Sequence, residues 1–171
     1  MLYLVDANVL ITADSQYYPL GRVPEFWDWL LHMASQGTVK MPTEMIEEIK
    51  AGDDALAEWV SDREHLEALR LAEDVDVGLL QRVIAEGYAP DLDDTEIGRL
   101  GQDPFLISYA LKDVSARRVV TTEVSKPTRQ RANRHIPDVC NGFGVGWLNS
   151  FELVRTLNFS TNWRAQLAAK S

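Results

Sequence analysis

Short apolar runs alternate along this chain with longer segments in which apolar residues recur at helical spacing. The run at residues 2–5 is too short for a helix, and it predicts a strand that is buried on both faces. Residues 38–41 and 117–123 predict two more strands, and residues 138–140 predict a last short one. Because these strands alternate with helical segments, the pattern predicts an α/β fold built on a parallel sheet.

The remaining elements follow from helical periodicity and from the residues that begin or end helices. The spacing predicts helices over residues 24–36, 43–51, 53–62, 64–87, 103–116 and 147–156. Asp103 is expected to cap its helix, with Pro104 at the first helical position. Residues 88–101 are expected to form a loop or a poor helix, and residues 124–137 a basic loop.

Length and composition limit the class of protein. A chain of 171 residues with 46% hydrophobic positions is typical of one folded domain. We expect this domain over residues 1–160, with a helical elaboration around 53–100 and a loosely held C-terminal tail at 161–171. The single cysteine, Cys140, excludes an internal disulfide and fits a reducing cytoplasm. No apolar run approaches the roughly 18 residues of a membrane span, so we expect a cytoplasmic protein without a signal peptide.

Four carboxylates that lie far apart in the sequence are expected to meet at one edge of the sheet. Asp6 ends the first strand, and Glu123 ends the strand at 117–123. Asp103 begins the helix before that strand, and Glu48 lies on the helix after the second strand. Open parallel sheets form their ligand sites at the carboxyl ends of the strands. The pattern therefore predicts an acidic site at this edge.

Such a cluster favours a divalent cation. Carboxylates packed closely repel one another and raise one another's pKa values unless a cation compensates. Oxygen ligands alone suit Mg²⁺ or Mn²⁺, which can activate a water and neutralise charge on a phosphate. Zinc is not indicated, because the 3 histidines are scattered and no HExxH motif is present. The net charge of -9 disfavours non-specific nucleic-acid binding by the whole surface, but it leaves carboxylates available for a metal.

Four segments of the chain carry a family resemblance: "YLVDANVLI" (3–11), "EMIEEI" (44–49), "DPFLISYA" (103–110) and "VVTTE" (119–123). In this order and spacing they resemble the PIN-domain family of metal-dependent nucleases. The resemblance implies a three-layer α/β/α sandwich around a mainly parallel sheet, and an endoribonuclease that cleaves single-stranded RNA with Mg²⁺ or Mn²⁺. Many small family members are toxins of toxin–antitoxin pairs, so it also implies an antitoxin partner and a homodimer.

The resemblance assigns catalytic and metal-binding roles to four acids, namely Asp6, Glu48, Asp103 and Glu123. Asn8 matches the polar residue beside the first acid, and Thr121 matches the hydroxyl two positions before the last acid. The chain departs from the family's pattern at Glu123, because an aspartate is usual there and the longer side chain suits a role through water. The region 53–100 is also longer than in minimal members. Glu44 and Glu47 compete with Glu48 for the role of second acid.

A basic run follows the last acid. Lys126, Arg129 and Arg131 belong to it, and it continues to Arg134 and His135. Charge runs are commonly solvated surface. Beside an acidic metal site, the same residues could hold the phosphates of RNA, and the sequence leaves both interpretations open.

Three functions compete. The leading one is a Mg²⁺- or Mn²⁺-dependent ribonuclease, with a toxin role. The second is a non-catalytic PIN-like module that binds RNA or a protein, and Glu123 motivates it. The third is a phosphatase of the haloacid dehalogenase type, which also places an aspartate after its first strand. That chemistry needs a second acid two residues later, where this chain has Asn8, so the sequence argues against it.

Overall fold

The structure is a computed structural model that describes residues 1–169 of the chain. The chain folds as a three-layer α/β/α sandwich around a four-stranded parallel sheet. The strands are β1 (Leu2–Val5), β2 (Val39–Lys40), β3 (Arg117–Val120) and β4 (Gly146–Leu148), in the order β2-β1-β3-β4. The α/β class and the parallel sheet predicted from the sequence are confirmed.

Helices cover both faces of the sheet. Their bounds are α1 (Ala7–Thr12), α2 (Pro24–Ser35), α3 (Thr43–Lys50), α4 (Ala55–Ser61), α5 (Arg63–Leu69), α6 (Val77–Arg82), α7 (Asp94–Leu100), α8 (Asp103–Leu111), α9 (Ile136–Phe143), α10 (Ser150–Thr156) and α11 (Trp163–Ala168). Helix α1 continues as a π-helical turn (Ala13–Tyr17), α6 continues as another (Val83–Tyr88), and residues Arg131–Asn133 form a 3₁₀ turn. Within residues 1–169, no helix has the length and apolar character needed to cross a membrane.

The sheet register creates a crevice beside β1. Leu4 of β1 pairs with Lys40 of β2 on one side and with Val119 of β3 on the other. Strand β2 lies on one side of β1, and the later strands β3 and β4 lie on its other side, so the strand order reverses at β1. Ligands of open α/β sheets bind where the strand order reverses in this way. The carboxyl ends of β1 and β3 therefore flank the natural position for a site.

The core explains why these short runs form strands. Leu4, Val39 and Val119 are fully buried, as expected for β-branched and aliphatic residues in strands covered on both faces. Helix α2 adds Trp27 and Trp29, which are 2% and 1% exposed. The buried hydrophobic residues form one cluster that extends along the chain to α11.

The structure corrects the sequence prediction near the C-terminus. Residues 138–140 were predicted as a strand, but they lie inside α9, and the last strand comes later at β4. Pro137 stands in the first turn of α9, and Gly144 ends it in the left-handed conformation with φ 67. A single helical turn buries Ile136, Val139 and Cys140, so the apolar "DVC" run belongs to a helix face.

The helical elaboration also differs from the prediction. Residues 64–87 do not form one helix, because the segment between α5 and α6 is extended and runs beside the end of β2, where the Leu71 amide donates to the Met41 carbonyl at 2.8 Å. Residues 88–101 contain α7, which begins with a reciprocal capping box between Asp93 and Glu96.

The predicted loose tail contains an ordered helix. Trp163 of α11 is 8% exposed, and its indole nitrogen donates to the Glu25 carbonyl at 3.1 Å. Arg164 pairs with Asp28 of α2 at 2.8 Å. These contacts attach residues 163–168 to α2, so the prediction of a loosely held segment is wrong there. Residues 170 and 171 of the predicted tail lie outside the described residues.

Candidate functional site

Asp6 lies where β1 ends, at the sheet crevice. It is 2% exposed and caps α1, with its Oδ1 accepting a hydrogen bond from the Asn8 amide at 3.3 Å. Its Oδ2 accepts a hydrogen bond from the Thr121 hydroxyl, which follows β3, at 2.9 Å. Burial raises the pKa of Asp6 to about 6, although both hydrogen bonds oppose this effect. The two hydrogen bonds therefore fix the position of the carboxylate, while burial makes its ionised form less favourable.

Asp103 differs from the predicted helix cap. Gln102 occupies the N-cap position of α8, and Asp103 is the first helical residue, half-buried at the same crevice. Burial and, after it, the charges of Asp6, Glu123 and Glu48 together raise the pKa of Asp103 to about 8. No hydrogen bond from residues 1–169 opposes this shift. The Asp103 carboxylate is therefore not used for capping.

Glu48 is the acid of α3 that faces the crevice. Partial burial raises its pKa, and its charge acts on both Asp6 and Asp103. Its two competitors have other contacts. Glu47 pairs with Lys50 at 2.8 Å on the exposed side of α3, and Glu44 accepts a weak hydrogen bond from the Tyr109 hydroxyl at 3.4 Å. The electrostatic contacts favour Glu48 over Glu44 and Glu47 as the fourth member of the cluster.

Glu123 is attached to the N-terminus of α9. Its Oε2 accepts a hydrogen bond from the Ile136 amide at 2.7 Å, a favourable position for an anion because the amides of a first helical turn lack partners. The Glu123 amide donates to the Thr121 hydroxyl at 3.2 Å. Thr121 is fully buried and so connects Asp6 to the segment that carries Glu123.

A second buried acid, which the sequence analysis missed, fixes this segment. Asp138 of α9 is 7% exposed. Its Oδ1 accepts from the Ser125 hydroxyl at 2.5 Å, and its Oδ2 accepts from the Lys126 amide at 2.8 Å. The signal in the sequence was Asp138 after Pro137, which is typical of a first helical turn, but the segment was interpreted as a strand. Asp138 orders the loop that begins at Glu123.

The donor set fits a hard divalent cation. Asp6, Glu48, Asp103 and Glu123 present oxygen atoms only, which suits Mg²⁺ or Mn²⁺. The pKa of Asp103 near 8 reflects first the burial of its carboxylate and then repulsion from Asp6, Glu123 and Glu48. Within residues 1–169, no three His, Cys, Asp or Glu side chains stand close enough together to ligate one metal ion as they are placed. The oxygen donors therefore support a metal site by their chemistry, but as placed they do not form a complete set of ligands around one ion.

One family match covers nearly the whole chain. Residues 3–161 match the family described as Domain of unknown function (DUF4411). The chain belongs to the DUF4411 family. The matched range contains all four acids of the cluster and the elements that carry them. No curated protein and no solved structure matches this DUF4411 chain.

Of the three predicted RNA-binding cations in the basic loop of this DUF4411 protein, one arginine forms ion pairs, and the other two form none with residues 1–169. Arg131 is occupied, because its guanidinium pairs with Asp91 at 2.7 Å and with Glu96 at 2.7 Å. Lys126 and Arg129 are exposed and form no ion pair with any residue from 1 to 169. Of the three cations predicted to hold RNA, these two have a side chain that remains available.

Three other polar residues lie in the basic loop or beside the first acid. Asn8 is exposed, and only its backbone amide takes part in the site through Asp6. Arg134 donates to the carbonyls of Gly87 and Asp138, and His135 contacts the Val124 carbonyl at 2.9 Å through Nδ1. These contacts are with backbone atoms, so Arg134 and His135 shape the loop.

Proposed function

We propose that this DUF4411 chain is a Mg²⁺- or Mn²⁺-dependent endoribonuclease that hydrolyses single-stranded RNA. The observation that carries the proposal is the electrostatic interaction of four carboxylates, those of Asp6, Glu48, Asp103 and Glu123, at the crevice between β1 and β3. They come from four separate segments of the chain, and burial together with repulsion from the other three acids raises the pKa of Asp103 to about 8. The resemblance of the surrounding motifs to PIN-domain nucleases supports the same reaction.

Asp6 and Asp103 would be the principal holders of the metal. Glu48 and Glu123 would complete the site, directly or through water, and the bond between Glu123 and the Ile136 amide favours the indirect role. When bound, a divalent ion lowers the pKa of a water and neutralises charge on the phosphate. The oxygen-only donor set supports Mg²⁺ or Mn²⁺ over zinc.

The chain's own residues orient this site. Thr121 fixes the rotation of the Asp6 carboxylate through a bond of 2.9 Å. Asp138 fixes the loop that carries Lys126, and it leaves the ammonium group of that lysine exposed to solvent. Lys126 and Arg129 are therefore the cations that we assign to the phosphates of the RNA backbone, which attract basic side chains independently of sequence. Arg131 is a structural residue in this proposal.

The biological role rests on the family resemblance. We propose that the protein is the toxin of a toxin–antitoxin pair, acts in the cytoplasm as a homodimer, and is held inactive by an antitoxin. The single Cys140 supports a reducing compartment. Co-expression with the product of the adjacent open reading frame tests this role, because it should restore growth that the wild-type protein alone arrests.

Cleavage of RNA tests the reaction itself. Purified protein is incubated with a broad pool of single-stranded RNA in Mn²⁺, in Mg²⁺ and in chelator. The proposal predicts cleavage that requires the metal. Absence of cleavage under every metal condition, from a folded protein that binds RNA, would contradict it.

Two observations favour a second candidate, a non-catalytic module that binds RNA or a protein. Glu123 is bonded to a helix amide, and the side chains as placed in residues 1–169 form no ready group of three metal ligands. This candidate predicts RNA or protein binding that is unchanged by chelator. Metal-dependent turnover by the wild type would exclude it.

A further inference from the structure

The hydroxyl of Tyr88 is buried without a hydrogen-bond partner. Tyr88 is 7% exposed, and its oxygen has no partner among the residues that the structure describes. A buried hydroxyl that loses its bond to water and gains none in the protein is unfavourable, so it requires an explanation. Tyr88 belongs to the 53–100 elaboration, for which the sequence indicated no role.

The backbone around Tyr88 is held firmly. Tyr88 ends the π-helical turn that continues α6, and π-helical turns frequently occur at functional sites. The preceding Gly87 lies so close to α9 that a Cβ there would come within 2.7 Å of the Val139 Cγ1 atom. The Arg134 guanidinium also donates to the Gly87 carbonyl. These contacts fix Tyr88 at a defined position rather than leaving it in a mobile loop.

The Tyr88 side chain lies beside the four-carboxylate cluster. Burial raises the pKa of Tyr88 above its ordinary value, and the charges of Asp103, Cys140 and Glu123 raise it further. A phenol keeps its proton at neutral pH, so the hydroxyl is a neutral hydrogen-bond donor. It donates to none of the carboxylates near it, so its hydrogen remains available to an acceptor that enters the cluster.

The other two buried atoms without partners, within residues 1–169, do not share this setting. The indole nitrogen of Trp29 lies in the aromatic core, where Phe26 and Phe159 surround it. The Glu44 carboxylate has a partner for its other oxygen, the Tyr109 hydroxyl. Tyr88 is therefore the unpaired donor that lies among the acids.

We propose that Tyr88 is a catalytic residue, whose hydroxyl donates a hydrogen bond to a non-bridging oxygen of the phosphodiester bound at the carboxylate cluster. This proposal rests on the proposed function and names a substrate contact within it. A phosphate bound at the cluster would supply the acceptor oxygen that the Tyr88 hydroxyl lacks among the described residues. A neutral donor also suits this position, because it stabilises developing negative charge without competing with a cation for the carboxylates.

A pair of tyrosine variants tests the assignment. Tyr88→Phe removes the unpaired hydroxyl, and Tyr109→Phe removes a hydroxyl that bonds to the Glu44 carboxylate and to the Glu73 carbonyl, each at 3.4 Å. We expect Tyr88→Phe to keep or raise the Tm of the metal-free protein and to lower kcat for RNA cleavage by about 10²-fold, since loss of one oxyanion donor has this effect. Tyr109→Phe should lower Tm and keep kcat.

A binding measurement keeps the test valid if the wild type does not cleave RNA. The Kd of a 2′-O-methyl oligoribonucleotide is measured with Ca²⁺, and a gel confirms that the probe stays intact. Weaker binding by Tyr88→Phe than by wild type and Tyr109→Phe would support the contact even without cleavage, and the reaction alone would then be in error.

Three results would overturn the proposal. The first is equal kcat in wild type and Tyr88→Phe when the wild type cleaves RNA, which would leave the proposed ribonuclease function intact. The second, for a wild type that does not cleave, is equal Kd in the two proteins, or no binding of the probe by either. The third is a fall in the Tm of Tyr88→Phe similar to that of Tyr109→Phe, since this would show that the hydroxyl has a structural partner.

Discussion

Two acidic clusters of this protein behave in opposite ways. In the carboxylate crevice, burial and neighbouring acids raise the pKa of Asp103 to about 8. In the cluster around Arg131, a hydrogen bond from that arginine lowers the pKa of Glu96 to about 2. Arg131 bonds to Glu96 through two nitrogens and to Asp91 through a third. Within residues 1–169, a cation neutralises the Arg131 cluster, whereas the carboxylate crevice has no such cation.

This difference suggests a structural role for the Arg131 cluster and a ligand-binding role for the carboxylate crevice. The Arg131 cluster joins the 3₁₀ turn within the basic loop to α7, so its charges stabilise the fold. The crevice brings together acids from four segments, and no cation among the described residues lowers the pKa of Asp6 or Asp103. Lys126 and Arg129 lie on the exposed loop. Binding of a cation from solution would stabilise such a cluster, because the cation compensates the repulsion between its carboxylates. We therefore expect metal and substrate to act on the crevice alone.

The largest expected effect is the loss of activity in Asp103→Asn. The amide keeps the shape of the side chain but removes a principal metal ligand, so RNA cleavage should fall by about 10³-fold or more, comparable to loss of a main catalytic group. Removing a repelled charge should also raise the Tm of the metal-free protein at pH 8. Cleavage rates and thermal melts of the same preparations check both effects.

Glu96→Gln is the matched control from the other cluster. It removes an acid that Arg131 and the α7 capping box both use, so the Tm should fall while cleavage stays at the wild-type level. A loss of cleavage in Glu96→Gln that equals the loss in Asp103→Asn would remove the distinction between the two clusters.

The pH dependence of stability should have opposite signs in the two clusters. The raised pKa values of Asp6, about 6, and Asp103, about 8, mean that the folded protein binds more protons than the unfolded chain between about pH 4 and pH 8. The free energy of unfolding of the metal-free protein should therefore fall as the pH rises through this window. The lowered pKa of Glu96 instead stabilises the fold above pH 4.5 and loses this effect towards pH 2.

Denaturant unfolding of the metal-free protein at pH 5, 6, 7 and 8 measures the slope. Asp103→Asn should flatten it, and Mn²⁺ should restore stability at pH 8 in the wild type. A stability that rises between pH 5 and pH 8 in the absence of metal would show that the acids are compensated by charges of the chain itself.

Thr121→Val tests how the fold orients the first acid. The valine keeps the shape but leaves the buried Oδ2 of Asp6 without its donor, so stability near neutral pH should fall by about 1–3 kcal/mol. The pKa of Asp6 should rise further, because this hydrogen bond opposes the effect of burial. The acidic limb of the pH–rate profile should therefore move to higher pH, with cleavage at pH 7 reduced by about tenfold. An unchanged profile would separate Thr121 from catalysis.

The smallest expected effect concerns the basic loop. Lys126→Ala with Arg129→Ala should raise KM for RNA several-fold and reduce the slope of log K against log salt by about 1.4, since each phosphate contact with a single strand contributes about 0.7. Arg131→Gln should lower Tm and leave KM and the salt slope unchanged, because this arginine is already paired with Asp91 and Glu96. A salt slope that falls only in Arg131→Gln would reverse the assignment of the loop.

The sequence predicted the parts of the site that depend on strand ends. Asp6 and Thr121 follow short apolar runs, and parallel pairing of such runs places their carboxyl ends together. Asp103 and Glu48 follow from helix starts and helical spacing, and their electrostatic contacts agree with that placement. These residues were predictable because a local pattern and a simple topology determine their positions.

The missed features depend on contacts between distant segments. The pairing of Arg131 with Asp91 spans 40 residues, and no local pattern indicates it. Tyr88 is placed by the close approach of Gly87 to α9, a helix that was interpreted as a strand because "DVC" is short and apolar. The packing of Trp163 against α2 likewise could not be read from a tail rich in polar residues. Tertiary packing decided each of these cases.

A calorimetric titration with Mn²⁺ at pH 7 shows whether the carboxylate crevice binds a metal ion. Because the pKa of Asp103 is about 8 without metal, binding should expel its proton, and heats in buffers of different ionisation enthalpy should report a release of about one proton. The account predicts binding with proton release in wild type and Glu96→Gln, and neither binding nor release in Asp103→Asn. Equal binding by wild type and Asp103→Asn, or no binding by the folded wild type, would contradict a metal site at the crevice.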